Sequence, residues 1–175
     1  MGISFGKILS AAKWPIVGCL AFNLVLFGIQ IFLNLLGFGA GAVAGSGVGA
    51  IASIINFLLS WGFMGLAIVG TFIIIIYGGF NAAKKGLDMI SCGLVGAFTY
   101  GLTDPIMSIL RIISGVVLGL GAGVAGGDAT MGIFGGALNF AFGLGMLFCG
   151  FGWFLGGLVL NFIFAAIAGL IGGAK

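Results

Sequence analysis

The sequence predicts an all-α, polytopic transmembrane helical bundle of about four to six membrane-embedded helices, packed through glycine-lined faces. Three observations predict it. The 175 residues are 62% hydrophobic and 5% charged, with a mean hydropathy of +1.39; a soluble domain carries about 25% charged residues. The apolar stretches reach the roughly 20 residues that a helix needs to cross about 30 Å of hydrocarbon. Glycine, at 37 residues, is about three times its average usage and recurs at helical spacing.

The elements follow in chain order. Lys7 and Lys13 precede an apolar run over 15–38, read as a first spanning helix and not a removable signal, because the run outlasts a signal core of about 7–15 residues. Lys13-Trp14-Pro15 reads as its start. A second apolar run, 48–80, ends at Asn81-Ala82-Ala83-Lys84-Lys85-Gly86-Leu87-Asp88, the most hydrophilic linker of the chain. The stretch 90–103 is too short to span alone. Thr103-Asp104-Pro105 carries the signals of a helix start, with Asp104 able to cap and Pro105 suited to the first helical position, opening the run 105–126. Gly126-Gly127-Asp128-Ala129-Thr130 is a turn. The last run, 131–174, is too long for one crossing, and a break is expected near Cys149-Gly150-Phe151-Gly152-Trp153. Lys7, Lys13, Lys84 and Lys85 read as membrane-flanking charge on one side. The chain is one integral membrane domain. Matches at offsets near 82, such as Gly37-Phe38-Gly39-Ala40-Gly41 with Gly119-Leu120-Gly121-Ala122-Gly123, suggest tandem halves over about 14–80 and 104–174.

Composition narrows the chemistry. Histidine and glutamate are absent, and the acids are Asp88, Asp104 and Asp128, far apart in sequence. Cys19, Cys92 and Cys149 are isolated, with no CxxC spacing. No catalytic, metal-binding or cofactor-binding set emerges, so neither an enzyme nor a bound cofactor is expected. The six basic residues form no stripe of the kind that binds nucleic acid. The expected partners are membrane lipids and further copies of the chain.

Spacing makes glycine the strongest positive feature. Gly41, Gly45 and Gly49 recur every four residues, as do Gly115, Gly119, Gly123 and Gly127; Gly132 with Gly136, Gly152 with Gly156 and Gly169 with Gly173 add pairs. Such a face forms a smooth groove that lets helix backbones approach in lipid, where packing replaces the hydrophobic drive. The grooves serve packing within one bundle or between copies. Polar groups at membrane depth are the other candidates. Asp104, Ser108, Arg111 and Ser114 share one helix face and form a candidate polar path. Asn23, Gln30 and Asn34, then Ser53, Asn56 and Ser60, form two further stripes, with Asn139 and Asn161 in the last region; amides of this kind bond across helices.

The glycine-rich first helix, the hairpins and the half-length repeat resemble the proteolipid c-ring subunit of rotary ATPases, as does Gly126-Gly127-Asp128-Ala129-Thr130-Met131-Gly132. That family carries ions on a mid-membrane carboxylate, and the stretches 48–80 and 131–174 hold no acid, so the resemblance does not extend to its mechanism. Ile76-Tyr77-Gly78-Gly79-Phe80, followed by Lys84-Lys85 and another apolar helix, is similar to the helix–loop–helix core of conjugative pilins over roughly 40 residues. It implies a filament subunit, extracellular once assembled. The expected function is therefore a non-enzymatic membrane protein that self-assembles through glycine faces into a structural homo-oligomer or polymer. A pore or small-solute transporter using Asp104–Arg111, and a pilin-like filament subunit, are the alternatives.

Overall fold

The computed structural model describes residues 5–43, 46–125 and 129–174, with side chains described except at 34, 36–43, 46–54, 56, 57, 60, 61, 119–125, 129–136, 138–140 and 142–150. Among the described residues the chain is four helices with no strand: α1 (Phe5–Val43), α2 (Ser46–Lys84), α3 (Met89–Ala125) and α4 (Ala129–Ile171). Each is long and apolar enough to cross a membrane. The fold is an all-α membrane bundle.

Three expected boundaries are corrected. Pro15 and Pro105 do not open helices; both lie inside them. Residues 90–103 and 105–126 are therefore not separate elements but one helix, α3. An interior proline removes the hydrogen bond to the carbonyl four residues back and crowds it. Membrane helices tolerate this where neighbours and Ser or Thr side chains re-satisfy the backbone. For Pro15 the neighbour is Gly78 of α2, where an added Cβ would lie 2.7 Å from the Pro15 ring. The break expected at 149–153 is also absent: α4 runs through it for 43 residues. Breaking a helix in an apolar surround would orphan the last carbonyls and first amides on either side.

The chain packs as two compact units. One unit holds residues 1–23, 68–107 and 149–175, and the other residues 24–67 and 108–148. The second contributes helical segments whose side chains are largely outside the described set.

In the first unit, pairwise contacts give the helix directions. Gly70 meets Phe22 and Gly78 meets Pro15, so α1 and α2 run antiparallel. Gly169 meets Cys92, Gly96 meets Asn161 and Gly157 meets Tyr100, so α3 and α4 do the same. Gly79 meets Ala165 and Gly172 meets Ala83, which makes α2 and α4 parallel. One core cluster joins Ile8, Ala11 and Ala12 of α1 to Ala82 and Ala83 of α2, to Leu87, and to Cys92 and Val95 of α3. A second joins Cys19, Ile75 and Ala165, with Ile74 and Tyr100 packed on it. Alanine and cysteine make up most of both clusters, and such small residues let helices approach closely in lipid.

The link from α2 to α3 is a C-cap followed directly by an N-cap. Gly86 takes φ +78°. Its N–H donates to the Ala83 carbonyl at 2.8 Å, and the Leu87 N–H donates to the Ala82 carbonyl at 3.3 Å. That is the Schellman arrangement, with Leu87 buried at the contact it normally makes. Asp88 then caps α3, accepting from the Ser91 N–H at 3.3 Å. Hydrogen bonds from Ser91, its side chain first, hold the Asp88 carboxyl below the usual range against an opposing desolvation. The same device ends α4: Gly173 at φ +95°, with Ala174 donating to the Gly169 carbonyl.

Candidate functional site

The buried polar side chains of the first unit are Asn23, Ser91, Thr99, Thr103 and Asn161. Ser91 belongs to the α3 cap. The others lie on α1, α3 and α4, within about two turns of the Cys19–Ile75–Ala165 cluster or of Tyr100, which packs on it. Asn23 lies one turn after Cys19, Thr71 one turn before Ile75 and Asn161 one turn before Ala165. Because α1 runs against α2 and α4, all three steps point the same way, and residues four apart share a face. Thr99 and Thr103 sit on successive turns of α3, past Val95 and around Tyr100, which packs on that cluster.

The hydrogen bonds of this layer are specific. The Asn23 Nδ2 group donates to the Cys19 carbonyl at 2.9 Å and across to Thr71 Oγ1 at 3.1 Å, tying α1 to α2. Thr99 donates to the Val95 carbonyl and Thr103 to the Thr99 carbonyl, both at 2.8 Å. The Asn161 Nδ2 group donates to the Gly157 carbonyl at 2.7 Å. A carbonyl can only accept, so this bond fixes which way the amide points. Its Oδ1 is then sealed from solvent without a hydrogen-bond partner. Leaving such a group unpaired costs about 1–3 kcal/mol.

Sequence reasoning singled out Asn23 and Asn161 but not Thr71, Thr99 and Thr103. The available signal was the four-residue series Ser91, Val95, Thr99, Thr103 on one face of α3. Gln30 is half-buried on α1, while the side chains of Asn34, Ser53, Asn56, Ser60 and Asn139 lie outside the described residues.

The candidate polar path on α3 is differently placed. Asp104 is half-buried and engaged by a neighbour. Ser108 is half-buried and Arg111 exposed. Ser114 donates its hydroxyl to the Arg111 carbonyl at 2.9 Å, on its own helix. The four share a face of α3.

Of the candidate assembly glycines, Gly41 lies near the end of α1, Gly49 near the start of α2, and Gly115, Gly119 and Gly123 on α3. Gly45 and Gly127 lie outside the described residues. Two sets stand out among the described glycines. Gly70, Gly78, Gly79, Gly93, Gly96, Gly157 and Gly169 sit where a Cβ would collide with a neighbouring helix, and Gly172 where it would be a tight fit. Gly28, Gly62, Gly65, Gly152 and Gly156 have nothing within 4 Å among the described residues. Lys7, Lys13, Lys84 and Lys85 are all exposed at the end of the first unit that holds the α2–α3 turn; the Lys84 ammonium lies 4.5 Å over the Phe80 ring.

Among the described residues, no three His, Cys, Asp or Glu side chains come together to hold a metal ion. No family model matches the sequence, and no curated protein or solved structure is significantly similar to it.

Proposed function

We propose that the chain is a non-enzymatic structural subunit of the membrane that assembles with further copies of itself. One observation carries this reading: the helices hold far more apolar length than one bilayer crossing uses. They contain 39, 39, 37 and 43 residues, against about 20 for a crossing. At 1.5 Å per residue their paths run about 55–65 Å. Fitting a straight helix of that length into about 30 Å of hydrocarbon needs a tilt of about 57–62°, beyond the 0–40° range of membrane helices. The surplus carries no charged residue, and protein is the cover that lipid does not provide.

The open glycines support the same reading. A glycine inside a helix costs about 1 kcal/mol relative to alanine. At Gly79 or Gly96 that cost is offset by close packing within the chain. At Gly152 and Gly156 nothing among the described residues offsets it. These two continue into exposed Val159, Ile163, Ile167 and Leu170 on one face of α4, a small-residue groove beside large apolar side chains. Exposed Trp153, at 80%, stands next to it. Such a face suits a neighbouring helix.

The test is Gly156→Leu in full-length protein, read by particle mass in mild detergent. Loss of the oligomer with retained helicity is the expected result. An unchanged oligomer removes the α4 face from the proposal.

A further inference from the structure

We propose that the outward face of α1, at the end that carries the α2–α3 turn, is a binding site for an anionic phospholipid, one whose phosphodiester charge is not offset by a headgroup amine. Gly6, Leu9, Ser10, Lys13, Ile16 and Val17 line a groove of about 490 Å³ there. Their spacing of three and four residues puts them on one face of the helix. Ile8, Ala11 and Ala12, buried in the core, take the opposite face, so the groove looks away from that core. Lys13 is the charged side chain among its described lining residues.

Depth decides what the groove meets. Pro15 lies against Gly78, so their neighbours Trp14 and Tyr77 stand at one level, and both are exposed, at 68% and 66%. Exposed Trp and Tyr favour the headgroup level. Lys13 precedes that level by one residue. Side chains on a helix lean toward its N-terminus, here over Ser10, Leu9 and Gly6 and toward the end that carries Lys7, Lys84 and Lys85. A long cationic side chain so placed snorkels to the headgroups. Gly6 and Ser10, about one turn apart, leave the floor beneath it without bulk; a Cβ on Gly6 would meet nothing within 4 Å among the described residues. Ile16 and Val17 lie on the apolar side of Trp14. The groove thus has the polarity order of a phospholipid: an ammonium and a hydroxyl where the phosphate sits, then apolar side chains where the acyl chain begins. Charge selects among lipids. Among the described residues this end carries Lys7, Lys13, Lys84 and Lys85 against Asp88, an excess that repels a headgroup bearing its own cation and favours a net anion. The site uses nothing of the α4 face on which self-assembly was argued, so either reading can fail alone.

The experiment is quenching of Trp14 fluorescence by brominated lipids in the full chain, with Trp61→Phe and Trp153→Phe so that Trp14 is its one tryptophan. Trp14 borders the groove, since residues three and four apart are neighbours on a helix and it follows Ser10 and precedes Val17 at those spacings. The protein is placed in vesicles of mixed phosphatidylcholine and phosphatidylglycerol, one of them brominated at a time, at about 0.15 M salt, where the Debye length is about 8 Å. Phosphatidylglycerol should quench as though enriched about fivefold at Trp14 over its bulk fraction. Lys13→Gln should bring the enrichment to background, and Lys13→Arg should keep it. Ser10→Leu leaves every charge in place but fills the groove, and should also lose it. Lys84→Gln should keep it, because Lys84 follows Ala82 and Ala83, which pack with the opposite face of α1. Equal quenching by the two lipids in the parent, enrichment that survives Lys13→Gln or Ser10→Leu, or enrichment lost in Lys84→Gln would each overturn the proposal. So would a changed particle mass in Lys13→Gln with unchanged quenching, which would assign the groove to a second copy of the chain.

Discussion

Replacing Gly79 with alanine adds one methyl group, and the structure fixes what it meets. The new Cβ would meet the Ala165 carbonyl oxygen first, and would lie 2.8 Å from the Ala165 Cα and 2.9 Å from its carbonyl carbon. All are backbone atoms of α4 and do not swing aside as a side-chain tip does. Ordinary contact begins near 3.4 Å, so α2 and α4 must separate by about 0.6 Å or more along a contact that also carries Gly172 against Ala83. Overpacking of this kind costs about 1–3 kcal/mol. Alanine's helix propensity returns up to about 1 kcal/mol. The balance is a net loss of about 1–2 kcal/mol, and more for valine. The matched control is Gly152→Ala, where nothing among the described residues lies within 4 Å and the same propensity gain is unopposed. Unfolding of both variants in mixed micelles, followed by circular dichroism at a protein concentration that keeps the chain monomeric, separates them. Gly79→Ala should lose stability and Gly152→Ala should hold or gain it. Equal stability of the two would refute the assignment of Gly79 to a backbone-to-backbone contact.

Four further outcomes follow from the same contacts. The Asn23–Thr71 bond crosses between α1 and α2, so a double-mutant cycle with Asn23→Leu and Thr71→Val should return about 0.6 kcal/mol of coupling, and no more than about 1.7; zero coupling would show the bond is not held in the membrane. Gly86→Ala should destabilise by about 1 kcal/mol, because φ +78° is a left-handed cap that alanine adopts poorly, and a neutral result in thermal unfolding would contradict the Schellman turn. The Asp88 carboxyl is held below its ordinary value by Ser91, so its contribution is fully present above the unfolded value near 3.9 and is lost as pH falls through the lower folded value; Asp88→Asn should flatten that acid limb of a stability–pH profile. Arg111→Ala should leave both the oligomer and liposome ion flux unchanged, and an altered flux would move the account toward a pore along Asp104–Arg111.

The helical, membrane-embedded character was legible because it rests on length and apolarity, which lipid enforces directly. Boundaries were harder where local and tertiary signals conflict. Asp104-Pro105 has the residues of a helix start, yet α3 continues through it, since a span cannot leave its backbone unpaired in lipid. Pro15 is housed by Gly78, a contact 63 positions away that no local pattern reveals. The Trp153 segment suggested a break by its headgroup preference, but α4 simply presents that indole outward. Of the polar layer, Asn23 and Asn161 were visible because amides at membrane depth stand out. Thr99 and Thr103 were not, because a threonine that bonds its own helix sits in an apolar run without disturbing it. The four-residue glycine runs drew attention at 41–49 and 115–127. The glycines with described interhelical contacts lie elsewhere, at positions such as 79, 96 and 157, where the close neighbour and not the spacing explains the residue.

The measurement that bears most directly on the central claim is the particle mass of the full-length protein in mild detergent, with negative-stain images of the same sample. Self-assembly predicts rings, tubes or filaments of a mass several times 17.6 kDa, dispersed by Gly156→Leu. A discrete monomer across a wide concentration range, in detergent that preserves helicity, would contradict it and leave the surplus apolar helix without its proposed cover.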